Sequence, residues 1–578
     1  MKNVILVLKS FITEVLIIIV YLFLINNYIG NVDKTINADA IGYYDYLPSI
    51  FIHHDLSRKD IPVEKDSSIY DRINATGIYT NYNHFKINKY PCGTALLELP
   101  FFTYAYLTTD LDGNNNDGYQ PPFHRSVFYA AIFYLFLSVF FLKKILELYD
   151  IKNYVIIFIQ FVFVLSTAVT HYANYDAGFS HVFSLFAITA FIYFAKLYFK
   201  NKKLNHFIYA CIFLGLIIII RQINILIILF IPFLSGSINN LKDGVIILFK
   251  NKKSLIIGII SVFGIFFIQS IIWYLQTGNF LIYSYQGEGF NFSDPQFFNI
   301  LFSYKKGLFV YTPILFITMF SLVWLTYKRK YYLLFTWLSF FVLLTYILSS
   351  WWSWFYGCSY GLRAYIDYYT IFFIPFAIML DKTTIRIRLI VMAISLLTIP
   401  INIVQTYQYK NFILHWINMD KEKYWKVFLK TEDKYKGLIW KKNYDYNHYS
   451  TVKEIFIGDI DIPENTSAFV YNINSLDIPN FEKVSIIQVL FDSYYQEKDD
   501  TKIGLKIIKS SDSSTYYYHD RSLIQFHEKE LNKWQTGLYN YEFSKINKKQ
   551  EMSISLKVIS GNKNCKLTNV RIKFLKHI

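Results

Sequence analysis

Only four cysteines occur in the chain, Cys92, Cys211, Cys358 and Cys565, and none stand in C-x-x-C spacing. A structural zinc site built on cysteine is therefore not expected. Cys92 and Cys358 are the one pair placed to share a compartment, so a disulfide between them stays open. No internal repeat is visible. The N-terminal apolar run, Val4 to Ile25, has Lys2 and Lys9 at its start and no small-residue cleavage site behind it. It is too long for a signal-peptide core and is expected to be a first spanning helix, kept in the mature protein. Charged residues are scarce too, at 17%, against 54% hydrophobic residues and a mean hydropathy of +0.27. Soluble domains sit lower on that scale, so the chain reads as an integral membrane protein with many spans.

Positive charge is not scarce: the formal net charge is +16. The basic residues fall in short runs between apolar stretches, which is a topology signal rather than a nucleic-acid surface. Bilayer-length apolar stretches are found at 4–26, 125–145, 153–172, 180–199, 206–235, 254–276, 309–327, 331–349, 366–380 and 389–405. The runs at Lys143–Lys152, Lys196–Lys203, Lys250–Lys253, Lys328–Lys330 and Lys382–Arg388 fix the orientation. Counted as one helix, 206–235 sends the last three runs to the outside. Counted as a hairpin turning near Arg221 and Asn224, it leaves every run inside, with the N-terminus cytoplasmic. An arginine inside an apolar stretch is also costly unless it meets protein, water or an anion. Both arguments favour the hairpin and about 11 membrane segments.

The expected architecture is an all-α polytopic membrane domain over 1–406, in the cell membrane. An interfacial linker follows at 407–450, then an extracytoplasmic antiparallel β-sandwich at 451–578. The sandwich rests on about eight short alternating stretches separated by turn residues. Four outer connections result: a long one at 27–124, then 171–181, 277–308 and 350–367. Within the first, TALLELPFFTYAYL (94–107) is too short to span and is expected to lie along the interface as an amphipathic helix.

Four constellations suit chemistry. NADAIGYYDYLPSIFIHHDL (37–56) offers Asp39, which is either a general base whose pKa partial burial raises, or a helix N-cap. HYANYDAGFSH (171–181) offers His171, Asp176 and His181, either a divalent-metal site or polar helix ends. Arg125, Arg221, Lys305, Lys306 and Arg363 form an outer cationic set, for phosphate oxygens or for lipid headgroups. Trp351, Trp352 and Trp354, with Phe355, Tyr356 and Tyr360, form an interfacial belt or a floor for a sugar ring, beside Gly357, Ser359 and Gly361.

Taken in order, these blocks resemble the GT-C glycosyltransferases, in particular the bacterial branch near the protein O-mannosyltransferases and the aminoarabinose transferase. NADAIGYYDYLPSIF is similar to that branch's first-loop Asp motif and YPCGTALLELPFF to its interfacial helix. His124-Arg125 is similar to the start of its second span. DAGFSHVFSLF, IIRQINILI, YSYQGEGFNFSDPQ, KKGLFVYTP and WWSWFYGCSYGLRAYIDYY are similar to further blocks, and the likeness covers roughly residues 1–430. One departure stands out: Asp39 is followed by Ala40, where the mannosyltransferase motif commonly pairs Asp with Glu.

The resemblance implies inverting transfer of a sugar from a polyprenyl-phosphate donor to an acceptor hydroxyl. It implies Asp39 and Asp176 as catalytic carboxylates, Asp39 as the general base. It makes Arg221, Arg363, Lys305, Lys306 and Arg125 donor-phosphate contacts. Tyr43, Tyr44, Glu288, Trp351, Trp352 and Trp354 become sugar or acceptor contacts. The acceptor is a glycan, lipid or protein, membrane lipid surrounds the enzyme, and no nucleic acid is involved. No cofactor is certain, a divalent metal at His171, Asp176 and His181 being open. Two other classes fit the sequence: a transporter or flippase of lipid-linked sugars, and a membrane anchor displaying a carbohydrate-binding sandwich.

Overall fold

The computed structural model describes residues 2–28, 32–56, 77–109, 117–440, 446–495, 501–509, 515–523, 533–542, 551–561 and 564–578. The chain divides into two compact units, the first running to Thr431 and the second beginning in its main part at Glu432.

The first unit is helical. Among the described residues, six helices are long and apolar enough to cross a bilayer: Pro121–Leu148, Ser180–Asn201, Lys252–Thr277, Tyr331–Ser349, Arg363–Lys382 and Ile385–Lys410. A seventh crossing results if Gln222–Ser235 and Ile238–Lys250, bent by 119° at their junction, count as one. Four shorter apolar helices accompany them: Phe11–Ile25, Asn153–Leu165, Leu204–Ile220 and Pro313–Tyr327. This is a multi-pass membrane protein, but the expected 11 or so segments are not all of spanning length. The reason is local. Helix Asn153–Leu165 stops at Ser166 and Thr167, whose hydroxyl donates back to the Phe163 carbonyl at 2.7 Å. Pro313 opens a new helix after the non-helical Thr312.

The stretch 206–235 does turn at Arg221. Helix Leu204–Ile220 ends there, with Arg221 extended (φ −151°, ψ 109°), and a 3₁₀ helix, Gln222–Phe230, leads away. The chain then returns to the basic end of the bundle. Lys196 Nζ donates to the Leu234 carbonyl at 3.1 Å, and Ser235 Oγ lies 3.0 Å from the Tyr332 hydroxyl, next to Lys328–Lys330.

The segment expected along the interface forms a helix, Gly93–Thr108, that buries Thr94 and Glu98. Its first residue abuts the end of Leu204–Ile220: a Cβ on Gly93 would sit 2.5 Å from the Ile219 carbonyl carbon and the Ile220 nitrogen. Only glycine lets the two backbones approach so closely. A hairpin of β1 (Tyr79–Tyr82) and β2 (Phe85–Asn88) precedes it. The amphipathic helix Ile238–Lys250 was not anticipated from the sequence.

The second unit is all β. Its strands are β3 (Tyr449–Ile462), β4 (Ser467–Asn474), β5 (Val484–Tyr495), β6 (Lys502–Lys509), β7 (Thr515–Ser522), β8 (Lys533–Glu542), β9 (Met552–Ile559) and β10 (Cys565–His577). They form two four-stranded antiparallel sheets, ordered β3-β10-β5-β8 and β4-β9-β6-β7. One apolar cluster draws on both: Val489 and Ile572 from the first, Leu505 and Leu556 from the second. That is the expected sandwich, held by inward-facing residues of paired sheets.

Candidate active site where four connections meet

The four connections expected on one side of the membrane are tied together. The first meets the third through Thr80 Oγ1, which donates to the Ser284 carbonyl at 3.0 Å, and through Lys89 and Glu288 at 3.2 Å. The third pairs with the fourth, where the Asn291 amide donates to the Ser350 carbonyl at 2.6 Å and the Trp352 amide to Gly289 at 2.9 Å. The second meets the fourth where the Tyr172 hydroxyl donates to the Tyr360 carbonyl at 3.0 Å. The first meets the fourth at Arg363 and Asp39, 2.5 Å apart.

Asp39 opens a short helix, Asp39–Tyr44, but does not cap it. The cap position is Ala38, in a left-handed conformation (φ 47°) with no side-chain hydrogen bond. A non-glycine residue there is strained, and such strain persists only where surroundings enforce it. The Asp39 side chain is thereby left for Arg363. Burial works against its ionisation. The charge of Arg363, the Tyr90 hydroxyl and the charge of Lys89 outweigh that and hold the carboxyl below the ordinary carboxylate range. The expectation that burial raises it is therefore corrected: the nearby cations win.

Arg221 solves its burial differently. Its guanidinium donates to Asp367 Oδ2 at 3.2 Å. The same carboxylate accepts from Asn224 Nδ2 at 2.6 Å, and its Oδ1 lies 2.8 Å from His181 Nδ1. Asn224 in turn accepts from the Tyr368 hydroxyl at 2.9 Å. His181 Nδ1 also lies 3.0 Å from Arg221, but one nitrogen cannot donate to Asp367 and accept from Arg221 along the same axis. With Asp367 fully buried and anionic, the proton belongs on Nδ1, pointing at the carboxylate. Tyr43 and Tyr285 lie within electrostatic range of both Asp39 and Arg221, so the two ion pairs border one neighbourhood.

The other expected site residues divide. Lys306 is buried beside this neighbourhood and donates to the Ser359 carbonyl; burial lowers its pKa to about 7. Lys305 stacks on Phe355, its nitrogen 3.6 Å from the ring centroid, with Trp354 at 6.0 Å. Glu288 holds Lys89 and accepts from Trp352 Nε1 at 3.2 Å. Trp351 packs edge-on against Phe290 and faces Tyr285. Arg125 is drawn elsewhere, into an exposed pair with Asp33 at 2.6 Å. The buried Tyr44 donates to the Gly118 carbonyl at 2.6 Å and packs on Tyr119. His171 and Asp176 pair at 2.8 Å, while His181 faces Asp367, so the three proposed metal ligands are not gathered. Among the described residues no cluster of three or more His, Cys, Asp or Glu is arranged to hold a metal. All four cysteines are free thiols, Cys92 buried and Cys358 exposed.

Sequence reasoning passed over Asp367, Lys89 and Tyr90. Asp367 was findable, as the sole acid between Trp351 and Leu380 and a natural offset for Arg221. The other two carry no comparable signal.

No family model matches the chain, and no curated protein does. Two solved structures of similar outline are membrane glycosyltransferases. The archaeal oligosaccharyltransferase AglB from Archaeoglobus fulgidus, solved with an inhibitory peptide and a dolichol-phosphate, aligns with a TM-score of 0.39 and 10% identity over 72% of this chain and 57% of its own. The arabinosyltransferase EmbB from Mycobacterium smegmatis aligns with a TM-score of 0.32 and 7% identity over 82% and 59%. The chain thus spans less than two thirds of either protein, and likenesses this distant leave the functional argument to the residues.

Proposed function

We propose that this protein is a membrane glycosyltransferase of the GT-C kind, moving a sugar from a polyprenyl-phosphate donor to an acceptor hydroxyl. The observation that carries the reading is the Asp39–Arg363 contact, flanked by Arg221, where separate connections meet. It unites the carboxylate of the first-loop motif with a cation from the last, the combination such a reaction needs.

Asp39 accepts the acceptor's hydroxyl proton. The freed oxygen pair forms a bond to the anomeric carbon from the face opposite the leaving group, inverting it. The bond from that carbon to the phosphate oxygen breaks, and its electron pair departs with the lipid phosphate. Charge that builds on the phosphate is met by Arg363, Arg221 and Lys306, positioned before the reaction begins. Asp39 becomes available as base when the donor's phosphate draws Arg363 away from it. Trp351 and Trp354 supply the apolar face for the sugar, with Glu288 a polar contact, and Asp176 orients its partner His171. A metal, if one takes part, must recruit its ligands by rearrangement.

Purified protein in nanodiscs, given radiolabelled polyprenyl-phosphate sugars and an acceptor panel, should form a glycosidic bond. Asp39→Asn should lower turnover about 10²–10⁴-fold while the variant still folds and inserts in the membrane. Near-normal transfer by that variant would remove Asp39 as base. Movement of intact sugar-lipid across the bilayer with no new bond would make the protein a transporter.

A further inference from the structure

The helix Ile238–Lys250 sits between a bent apolar segment and the span Lys252–Thr277, and its surface has three distinct strips. The first strip faces the protein: the Tyr198 hydroxyl donates to the Gly244 carbonyl at 2.6 Å, and Asn240 bonds the Ser235 carbonyl at 2.7 Å. Gly244 also has no room for a side chain, since its Cβ would meet Phe199 at 2.6 Å. A second strip, Ile238, Val245 and Phe249, follows i, i+7, i+11 spacing, with Ile246 about 60° around from Phe249; all four are exposed, Phe249 by 66%. Lys242, about 20° from Phe249, has a stem long enough to reach water from this strip. The third strip is polar, with Asn239, Lys250 and Asp243 about 80°, 100° and 120° around the helix from Phe249.

That division is what an interface demands: one side on protein, one in acyl chains, one in water. The 119° bend turns the helix sharply away from the preceding segment. Its charge is complementary to one surface in particular. Exposed Lys242, Lys250, Lys252 and Lys253 stand against the single Asp243, and Lys202 Nζ donates to the Asn240 carbonyl at 2.9 Å, bringing the Lys202–Lys203 turn alongside. Basic groups flanking an embedded amphipathic helix attract anionic lipid.

We propose that helix Ile238–Lys250 lies in the membrane interface and that Lys250, Lys252 and Lys253 at its end, with the adjoining Lys202–Lys203 turn, bind anionic phospholipid headgroups.

Two measurements on the full chain test this. In nanodiscs, a spin label at Phe249→Cys should be relaxed by lipid-soluble oxygen and one at Asn239→Cys by a water-soluble nickel chelate, on a Cys358→Ser background. A water-exposed label at 249 would overturn the embedding. Native mass spectrometry of detergent-extracted protein should show phosphatidylglycerol retained over phosphatidylcholine. The triple variant Lys250→Gln, Lys252→Gln, Lys253→Gln should weaken that preference about a hundredfold, and the matching Lys→Arg triple should keep it. An unchanged preference in the glutamine triple, or loss of phosphatidylglycerol on adding inorganic phosphate alone, would overturn the headgroup site. Neither measurement depends on the transferase reading.

Discussion

Replacing Arg221 with methionine should destabilise the membrane unit severely, because it strips Asp367 of the one full positive charge within hydrogen-bond reach among the described residues. The carboxylate is completely buried and, among the described residues, keeps Asn224 at 2.6 Å and His181 at 2.8 Å. Breaking one partner of a buried ion pair costs about 3–5 kcal/mol, and the two remaining donors put this case near 3 kcal/mol. Asp367→Asn should cost less, about 2 kcal/mol, because Arg221 is 15% exposed and can recruit water. If the two side chains act as one pair, the double variant should cost about 3 kcal/mol rather than the sum near 5, a coupling of about 2 kcal/mol. Unfolding in mixed micelles of mild detergent and SDS, followed by the fluorescence of buried Trp273 and Trp337, reads these differences. Single variants within about 0.5 kcal/mol of wild type, or strictly additive losses, would refute the offset assigned to Arg221.

Gly93→Ala should cost about 1–3 kcal/mol in the same assay, because the new methyl meets the Ile219–Ile220 backbone at 2.5 Å; an unchanged midpoint would mean that the two helices part freely. Lys306 has a folded pKa of about 7, below its unfolded value, so above pH 7 the unfolded chain binds more protons there. Stability should therefore rise relative to Lys306→Met as pH climbs from 7 towards 10, by thermal melting; a flat difference would deny the burial. Asp39 is held below the ordinary carboxylate range, so kcat/KM should keep its basic group ionised down to pH ~4, the usual carboxylate value. An acid limb centred above pH 6 would assign the base elsewhere. Leu505→Ala, at a fully buried position of the sandwich, should cost about 2–5 kcal/mol by urea unfolding; a loss under 0.5 kcal/mol would place it outside the core.

Much of the architecture was written in the periodicity. Apolar runs of bilayer length located the helices, and alternation with turn residues located the strands, because burial imposes both patterns directly. The cost of an arginine in apolar surroundings located the turn at Arg221. The short helices escaped, since Ser166, Thr167 and Thr312 interrupt them without breaking the hydropathy. Helix Ile238–Lys250 escaped because Asn239, Asn240, Lys242 and Asp243 break its apolar run well below bilayer length. In the site, the residue types were legible but their pairings were not. Nothing in a linear string tells that Arg363 faces Asp39 while Arg125 turns to Asp33, or that His181 leaves His171 for Asp367. Those choices follow from helix packing over long separations.

Asp39 and Arg363 stand 324 positions apart. At ribosomal speeds of about 5–20 residues per second, the aspartate is synthesised roughly 15 seconds to a minute before its partner exists. The nascent carboxylate must wait, hydrated or borrowed by Lys89, until the helix beginning at Arg363 inserts. A chain cut anywhere before that helix carries the motif of its first loop without the cation that faces it, so this contact is completed in one late step of biogenesis.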